Sequence, residues 1–271
     1  MFPVLFSLGP ITFKTISLFL ILAFLVSSFI FWRRGREEHY KEELLFDGFL
    51  LSGLVGVLAA RAGYVVLNAG DFGFSLVRWL DFFSYPGFSG SIGLAVMGIY
   101  LHRFAKRSKW DSFEILDFWA PAMALGLAVL HVGLFFDGGG YGLASTLPWA
   151  VTFPGSFAAR HPVQLYFAIF YVVLFAYLQW AEFHYRTFEW YRSGKKTAQT
   201  GFLVAVAMST TGLVHVIFSF LKENPTQLYG IGIDQVIGMV LFFVGVGTLY
   251  VRSGKELPLL KRRRHAKVER L

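Results

Sequence analysis

The chain has 271 residues, 55% of them hydrophobic, 18% aromatic and only 15% charged, with a formal net charge of +8. Average soluble domains are about 25% charged, so this composition excludes an ordinary water-soluble enzyme, and its long apolar stretches exclude disorder. With no cysteine there are no disulfides, thiolate metal sites or thiol nucleophiles.

Seven apolar spans are predicted in chain order: Ile11 to Trp32, Leu44 to Leu67, Gly90 to Leu101, Phe113 to Phe136, Val163 to Ala181, Gly201 to Leu221 and Ile231 to Val251. About 20 helical residues cross a ~30 Å hydrocarbon core. The third span falls short of that unless it starts before Gly90 or lies inside the bundle. The expected fold class is all-α: a polytopic membrane protein of seven transmembrane helices, one integral membrane domain over 1–271 with a basic tail over 252–271.

Charge between the spans sets the direction. Arg33, Arg34, Arg36 and Lys41 follow span one; Arg103, Lys106, Arg107 and Lys109 follow span three; Arg186, Arg192, Lys195 and Lys196 follow span five. The tail carries Arg252, Lys255, Lys261, Arg262, Arg263, Arg264, Lys267 and Arg270, so all but five of the 25 Lys and Arg lie on one side. The exceptions are Lys14, Arg61, Arg78, Arg160 and Lys222. The positive-inside rule then puts the N-terminus outside and the C-terminus in the cytoplasm. A signal peptide carries its positive charge before the apolar run; here the arginines come after it, so span one reads as a retained helix. The tail charges suit anionic membrane lipids, and no nucleic-acid partner is expected.

Two segments on the outer side are long. Asn68 to Ser89 carries Trp79, Phe82, Phe83 and Tyr85, and Asp137 to Pro162 is rich in glycine and aromatics. Such segments form interfacial arms and loops rather than a separate domain.

Ionisable groups inside spans cost a few kcal/mol each on insertion scales. Arg61 lies about 25 Å along span two, His131 about 27 Å along span four and His215 about 21 Å along span six. These three spans run in one direction, so the three groups share a depth near the outer leaflet and are expected to converge in a polar cavity. Arg61 offers a planar fork for phosphate; His131 and His215 suit proton transfer. Tyr64 lies one turn from Arg61, Ser219 one turn from His215, and Asp137 ends span four. Taken singly, Arg61 also reads as snorkelling to headgroups, and each histidine reads more readily as a helix-to-helix hydrogen bond than as a chemical group. Asp117, four residues before Pro121, reads as structural, in a helix with a local bend. RHPVQLY opens span five, with Pro162 suited to a first helical turn. Arg160 and His161 stand beside that helix N-terminus, an anion-binding arrangement, with Gln164 and Tyr166 in the first turns. GGGYG lacks the Lys and Ser/Thr of a nucleotide loop. No zinc motif is present, and no metal or cofactor is expected.

The pieces FSLGPITFKTISLFL, ARAGYVV, FSGSIGL, DFWAP, YGLASTLPWAVTFPG and RHPVQLY, in this order and spacing, resemble the prolipoprotein diacylglyceryl transferase family over almost the whole chain. The resemblance implies a multi-pass enzyme of the bacterial inner membrane that moves diacylglyceryl from phosphatidylglycerol to the lipobox cysteine in the signal peptide of a prolipoprotein. It implies His131 and His215 as catalytic residues, at the positions of two family arginines. It also implies Arg61, Tyr64, Asp137, Arg160, His161, Gln164 and Tyr166 as substrate-binding residues. The family signature Gly-Arg-x-Gly-Asn-Phe-x-Asn-x-Glu is LHVGLFFDGG here, with Gly133 kept, Leu134 and Asp137 at the asparagines and Gly139 at the glutamate. Ser89, Ile16, Ser219 and Phe167 stand where the family has His, Tyr, Glu and Glu. Fold does not carry function by itself. The alternatives are a silent homologue that binds phospholipid or lipoprotein precursor and, more remotely, a transporter or channel.

Reporter fusions after Lys109 and after Arg270 test the orientation: both should read cytoplasmic, and an extracytoplasmic signal from either contradicts it.

Overall fold

An apolar solvent offers no hydrogen bonds, so a chain crossing it satisfies its backbone internally. Helices do this here. The computed structural model describes residues 2–9, 11–73, 75–82, 85–184, 199–222, 227–228 and 231–252. In order these form β1 (Val4–Leu8), β2 (Ile11–Lys14), α1 (Thr15–Glu37), α2 (Glu42–Leu67), α3 (Ala69–Phe72), α4 (Leu76–Leu80), α5 (Gly90–Arg107) and α6 (Ser112–Asp137). There follow β3 (Val151–Thr152), β4 (Ala159–Arg160), α7 (Val163–Glu182), α8 (Phe202–Ser219), β5 (Gln227–Leu228), β6 (Ile231–Gly232) and α9 (Ile233–Arg252). The predicted tail beyond Arg252, the basic residues Arg186, Arg192, Lys195 and Lys196, and Phe83 lie outside the described residues.

The protein is a multi-pass membrane protein. Six helices, α1, α2, α6, α7, α8 and α9, are long and apolar enough to cross a membrane. Helix α5 has 18 residues but carries Arg103, Lys106 and Arg107 in its last turns, which keeps it out of that set. It gains its length past Leu101, not before Gly90. The first predicted span is corrected at both ends. Ile11–Lys14 pairs as β2 with β1 through a turn at Gly9, whose φ of 59° glycine adopts without strain. Helix α1 runs on beyond Trp32 to Glu37, where Arg33 and Glu37 pair at 2.9 Å one turn apart.

Helix α6 lies at the centre, against α1, α5, α7 and α8. One apolar core joins α6 to α7 and α8 through Ala120, Ala124, Phe167, Tyr171, Leu203 and Val204. A second joins α1, α2, α5 and α6 through Phe31, Leu45, Phe49, Leu101 and Phe118. Outward faces carry large apolar side chains such as Leu58, Val240 and Phe243, which suits contact with lipid. The hydrophobic effect does not drive helices together inside hydrocarbon, so small residues let backbones approach and dispersion holds them. A Cβ at Gly212 would lie 2.4 Å from the Phe242 backbone nitrogen, so α8 and α9 meet backbone to backbone. On α1, Ser27 donates to the Ala122 carbonyl at 3.0 Å and sits over Gly126.

Polar ties close one end of the bundle, where α1, α5, α7 and α9 end. Arg34 of α1 reaches Glu182 at 2.9 Å and Gln179 of α7. Arg252 donates to the Thr200 carbonyl at 2.6 Å and lies over Phe113. Buried Asp117 does more. Helix α8 starts at Gly201, which has no side chain to cap it. The Asp117 carboxyl, reaching from α6, accepts from Gly201 N–H at 2.7 Å and Val204 N–H at 2.9 Å. It thereby fills two of the donors a helix start leaves open. Pro121 lies inside α6 without ending it; the carbonyl it leaves without its usual helical donor is that of Asp117.

Replacing Asp117 with Leu strands two buried N–H groups, each costing about 1–3 kcal/mol. Asp117→Leu should unfold several degrees below the parent protein in a detergent melt followed by tryptophan fluorescence. An unchanged midpoint contradicts the capping role.

Candidate functional site

Helix α2 carries Arg61 toward the end of the bundle opposite the basic loops. Arg61 is only 5% exposed, so its charge must be met by protein. Its Nε–H donates to the Trp79 carbonyl at 2.8 Å. One terminal nitrogen donates to Tyr85 at 2.7 Å and Gly87 at 3.0 Å, the other to Arg78 at 3.3 Å and Asp81 at 3.1 Å, all backbone carbonyls. All five guanidinium donors are therefore used on α4 and the segment that follows it, as far as Gly87. The rings of Phe72 and Phe82 flank the guanidinium at 5.1 Å. Tyr64 belongs to the same cluster: its ring meets Phe72 edge-on and lies against Gly87, where a Cβ would be 2.2 Å away. The expectation that Arg61 shares a cavity with the two histidines is corrected here. Its donors are satisfied by residues 78–87, and among the described residues none of its partners is shared with His131 or His215.

The two imidazoles do come together, on α6 and α8, against one face of α7. Phe167 is the shared surface: its ring centre is 5.0 Å from His131 and 4.7 Å from His215. Tyr171, one turn on and 2% exposed, shares a 3.1 Å hydrogen bond between its hydroxyl and His215 Nε2. His131 Nδ1 lies 2.8 Å from the Leu127 carbonyl of its own helix. A carbonyl only accepts, so that nitrogen carries a proton, and in the neutral imidazole the lone pair is on Nε2. No described residue is bonded to His131 Nε2. Lys222, just past α8, places its ammonium 5.0 Å from the same Phe167 ring and 3.7 Å from Asp234 in the first turn of α9.

RHPVQLY ties the 138–162 loop to α7. Arg160 donates to the Ser156 hydroxyl at 2.8 Å and the Gly142 carbonyl at 3.3 Å, and lies over Tyr141. His161 Nδ1 is 3.2 Å from the Tyr166 hydroxyl, which also accepts from Trp149 Nε1 at 2.8 Å. Gln164, fully enclosed, donates to the Gly139 carbonyl at 2.7 Å, while its Oε1 has no partner among the described residues. Asp137 ends α6 beside Gly139 with no ion pair among the described residues. The loop is joined to the histidine cluster through Leu143 N–H, which donates to the Leu221 carbonyl at 2.7 Å, next to Lys222.

Sequence reasoning singled out the histidines but not Tyr171, Lys222 or Asp234. The signal was present in the spacing. Gln164, Phe167 and Tyr171 fall at i, i+3 and i+7 on one helical face.

Comparison with known proteins gives a consistent picture. A family model described as prolipoprotein diacylglyceryl transferase matches residues 3–251. The chain is 30% identical over 247 residues to the phosphatidylglycerol–prolipoprotein diacylglyceryl transferase of Mannheimia succiniciproducens, covering 88% of this chain and 85% of that protein. It is 28% identical over 280 residues to the protein of the same name from Pasteurella multocida, covering 95% and 96%. It is 30% identical over 263 residues to that of Aeromonas salmonicida, covering 90% and 87%.

A lysine offers three donors from one point and cannot span five carbonyls. Arg61→Lys should therefore speed amide hydrogen exchange across residues 76–89. Exchange there at the parent rate contradicts the clasp.

Proposed function

The chain belongs to the prolipoprotein diacylglyceryl transferase family, and on that premise we propose that it transfers diacylglyceryl from phosphatidylglycerol to the lipobox cysteine of a prolipoprotein, in the bacterial inner membrane. The observation that carries this reading is the meeting of His131 and His215 on Phe167. They stand where the resemblance puts two family arginines, and they are packed as a pair. The uneven distribution of Lys and Arg supports an outer-leaflet depth for the cluster, within reach of both lipid-embedded substrates, and contact of the basic side with anionic lipid.

The chemistry follows from the nitrogens. A thiol is a poor nucleophile until it loses its proton. The lone pair on His131 Nε2 takes that proton, and the thiolate sulfur bonds to the glyceryl carbon that carries the phosphate ester. The carbon–oxygen bond breaks, its electron pair leaving on glycerol phosphate. The imidazolium then returns its proton to the leaving group, so one residue serves both steps, which an arginine cannot do. His215 holds a different place: its Nε2 is engaged by the Tyr171 hydroxyl, so it orients the pair instead of taking the first proton. Arg160, His161, Gln164 and Tyr166 hold the 138–162 loop over the cluster.

One observation favours the silent lipid-binding homologue. Phe167, 2% exposed, puts a ring where the resemblance expects a carboxylate, which removes a polar group from the site.

Transfer from phosphatidylglycerol to a lipobox peptide by purified protein separates the two readings. His131→Ala should lower the rate roughly 10²-fold, the usual scale for a positioned acid–base group. The parent rate should fall on the acid side, where protonation fills the Nε2 lone pair, and His131→Ala should lose that limb. Binding of phosphatidylglycerol without transfer between about pH 5 and 9, where imidazoles titrate, supports the silent homologue.

A further inference from the structure

We infer that Lys222 is the cation that holds the lipid phosphodiester, and that the Asp234 carboxylate occupies its place until the phosphate displaces it. The inference rests on the reading of phosphatidylglycerol as the substrate and assigns its phosphate contact. Arg61, the group the sequence offers first, has every donor on a backbone carbonyl. Releasing it for phosphate would cost the loop it holds. Arg160 is bound into the 138–162 loop. Lys222 lies instead against the ring that carries both imidazoles.

Its attachment is loose. The Asp234 contact is 3.7 Å long, beyond good hydrogen-bond range. Asp234 is half exposed, so the pair is not sealed from incoming anions. An ammonium offers three donors, and among the described residues its one ion pair is a long carboxylate contact, which does not fill them. Asp234 also has a second source of stabilisation. It sits in the first turn of α9, a helix of 20 residues, where the unbonded N–H groups and the helix dipole favour negative charge. Lys222 can thus exchange one anion for another, and the carboxylate stays favourably placed when released. The exchange brings the phosphate to the ring that holds His131, beside the base that later returns a proton to it.

The test uses the full-length protein in uncharged detergent, titrated with phosphatidylglycerol or with diacylglycerol and read by native mass spectrometry. Diacylglycerol shares the acyl chains and lacks the phosphate. Lys222→Met should weaken phosphatidylglycerol binding roughly tenfold or more, the scale of a lost charged hydrogen bond, and leave diacylglycerol binding unchanged. Lys222→Arg should retain it. Asp234→Asn, which removes the competing charge, should tighten it severalfold. The double variant Lys222→Met with Asp234→Asn leaves neither charge unpaired and should bind as weakly as Lys222→Met alone, which guards against a folding artefact. Parent-like phosphatidylglycerol binding by Lys222→Met overturns the inference, and so does weakening by Asp234→Asn, the mark of a simple structural pair. A parent protein that binds phosphatidylglycerol no better than diacylglycerol removes the substrate reading and the inference together. Preference by the parent with no effect of Lys222→Met removes the inference alone.

Discussion

In hydrocarbon no water stands ready to solvate a charge or an open backbone group, so this protein must supply a partner for each one it buries. Its architecture turns on two such obligations. Arg61 meets its own by drawing five carbonyls of the 78–87 segment onto α2. A segment of that composition would otherwise be a loose interfacial loop. Asp117 meets its own by receiving the open N–H groups of α8, and so fixes where α8 begins against α6. In both cases a buried charge orders a distant piece of backbone.

Around these points the helices associate through close approach. Gly93 meets the Gly56 carbonyl and Gly212 meets the backbone of α9, each leaving no room for a Cβ. Backbone proximity raises dispersion between helices, which lipid would otherwise match. Helix α6 then links both ends of the molecule. Asp117 lies near its start and His131 14 residues further on, about 21 Å along the axis. The cap that seats α8 on α6 also sets the height at which His215 faces His131, so structural and functional residues share one rigid element.

The histidine cluster shows how a site can change character while its scaffold is kept. An aromatic ring at position 167 cannot neutralise charge as a carboxylate does, but its face attracts cations. Both imidazoles and the Lys222 ammonium gather on that ring. The result is a site rich in nitrogen and poor in carboxylate, with Asp234 at its edge. That balance suits an anionic ligand.

Much was legible in the sequence because it is a local property of the chain. Span lengths, the one-sided Lys and Arg and the polar positions inside apolar runs all follow from residue order. The shared depth of His131 and His215 follows from helical rise and the common direction of their spans. Short apolar stretches are less decisive: Ile11–Lys14 reads as the start of a span but pairs as a strand, because the turn at Gly9 folds it onto Val4–Leu8. Only the tertiary structure decided which partner each polar group meets. Arg61 was equally suited by type to phosphate, headgroups or carbonyls, and it binds carbonyls from a loop that hydropathy leaves unplaced. Asp117 bonds residues 84 and 87 positions away, and Tyr171 meets His215 across 44. Such pairings depend on how each helix is rotated and which helix stands beside it. The hydropathy of a span, nearly the same all round for a helix in lipid, does not encode either.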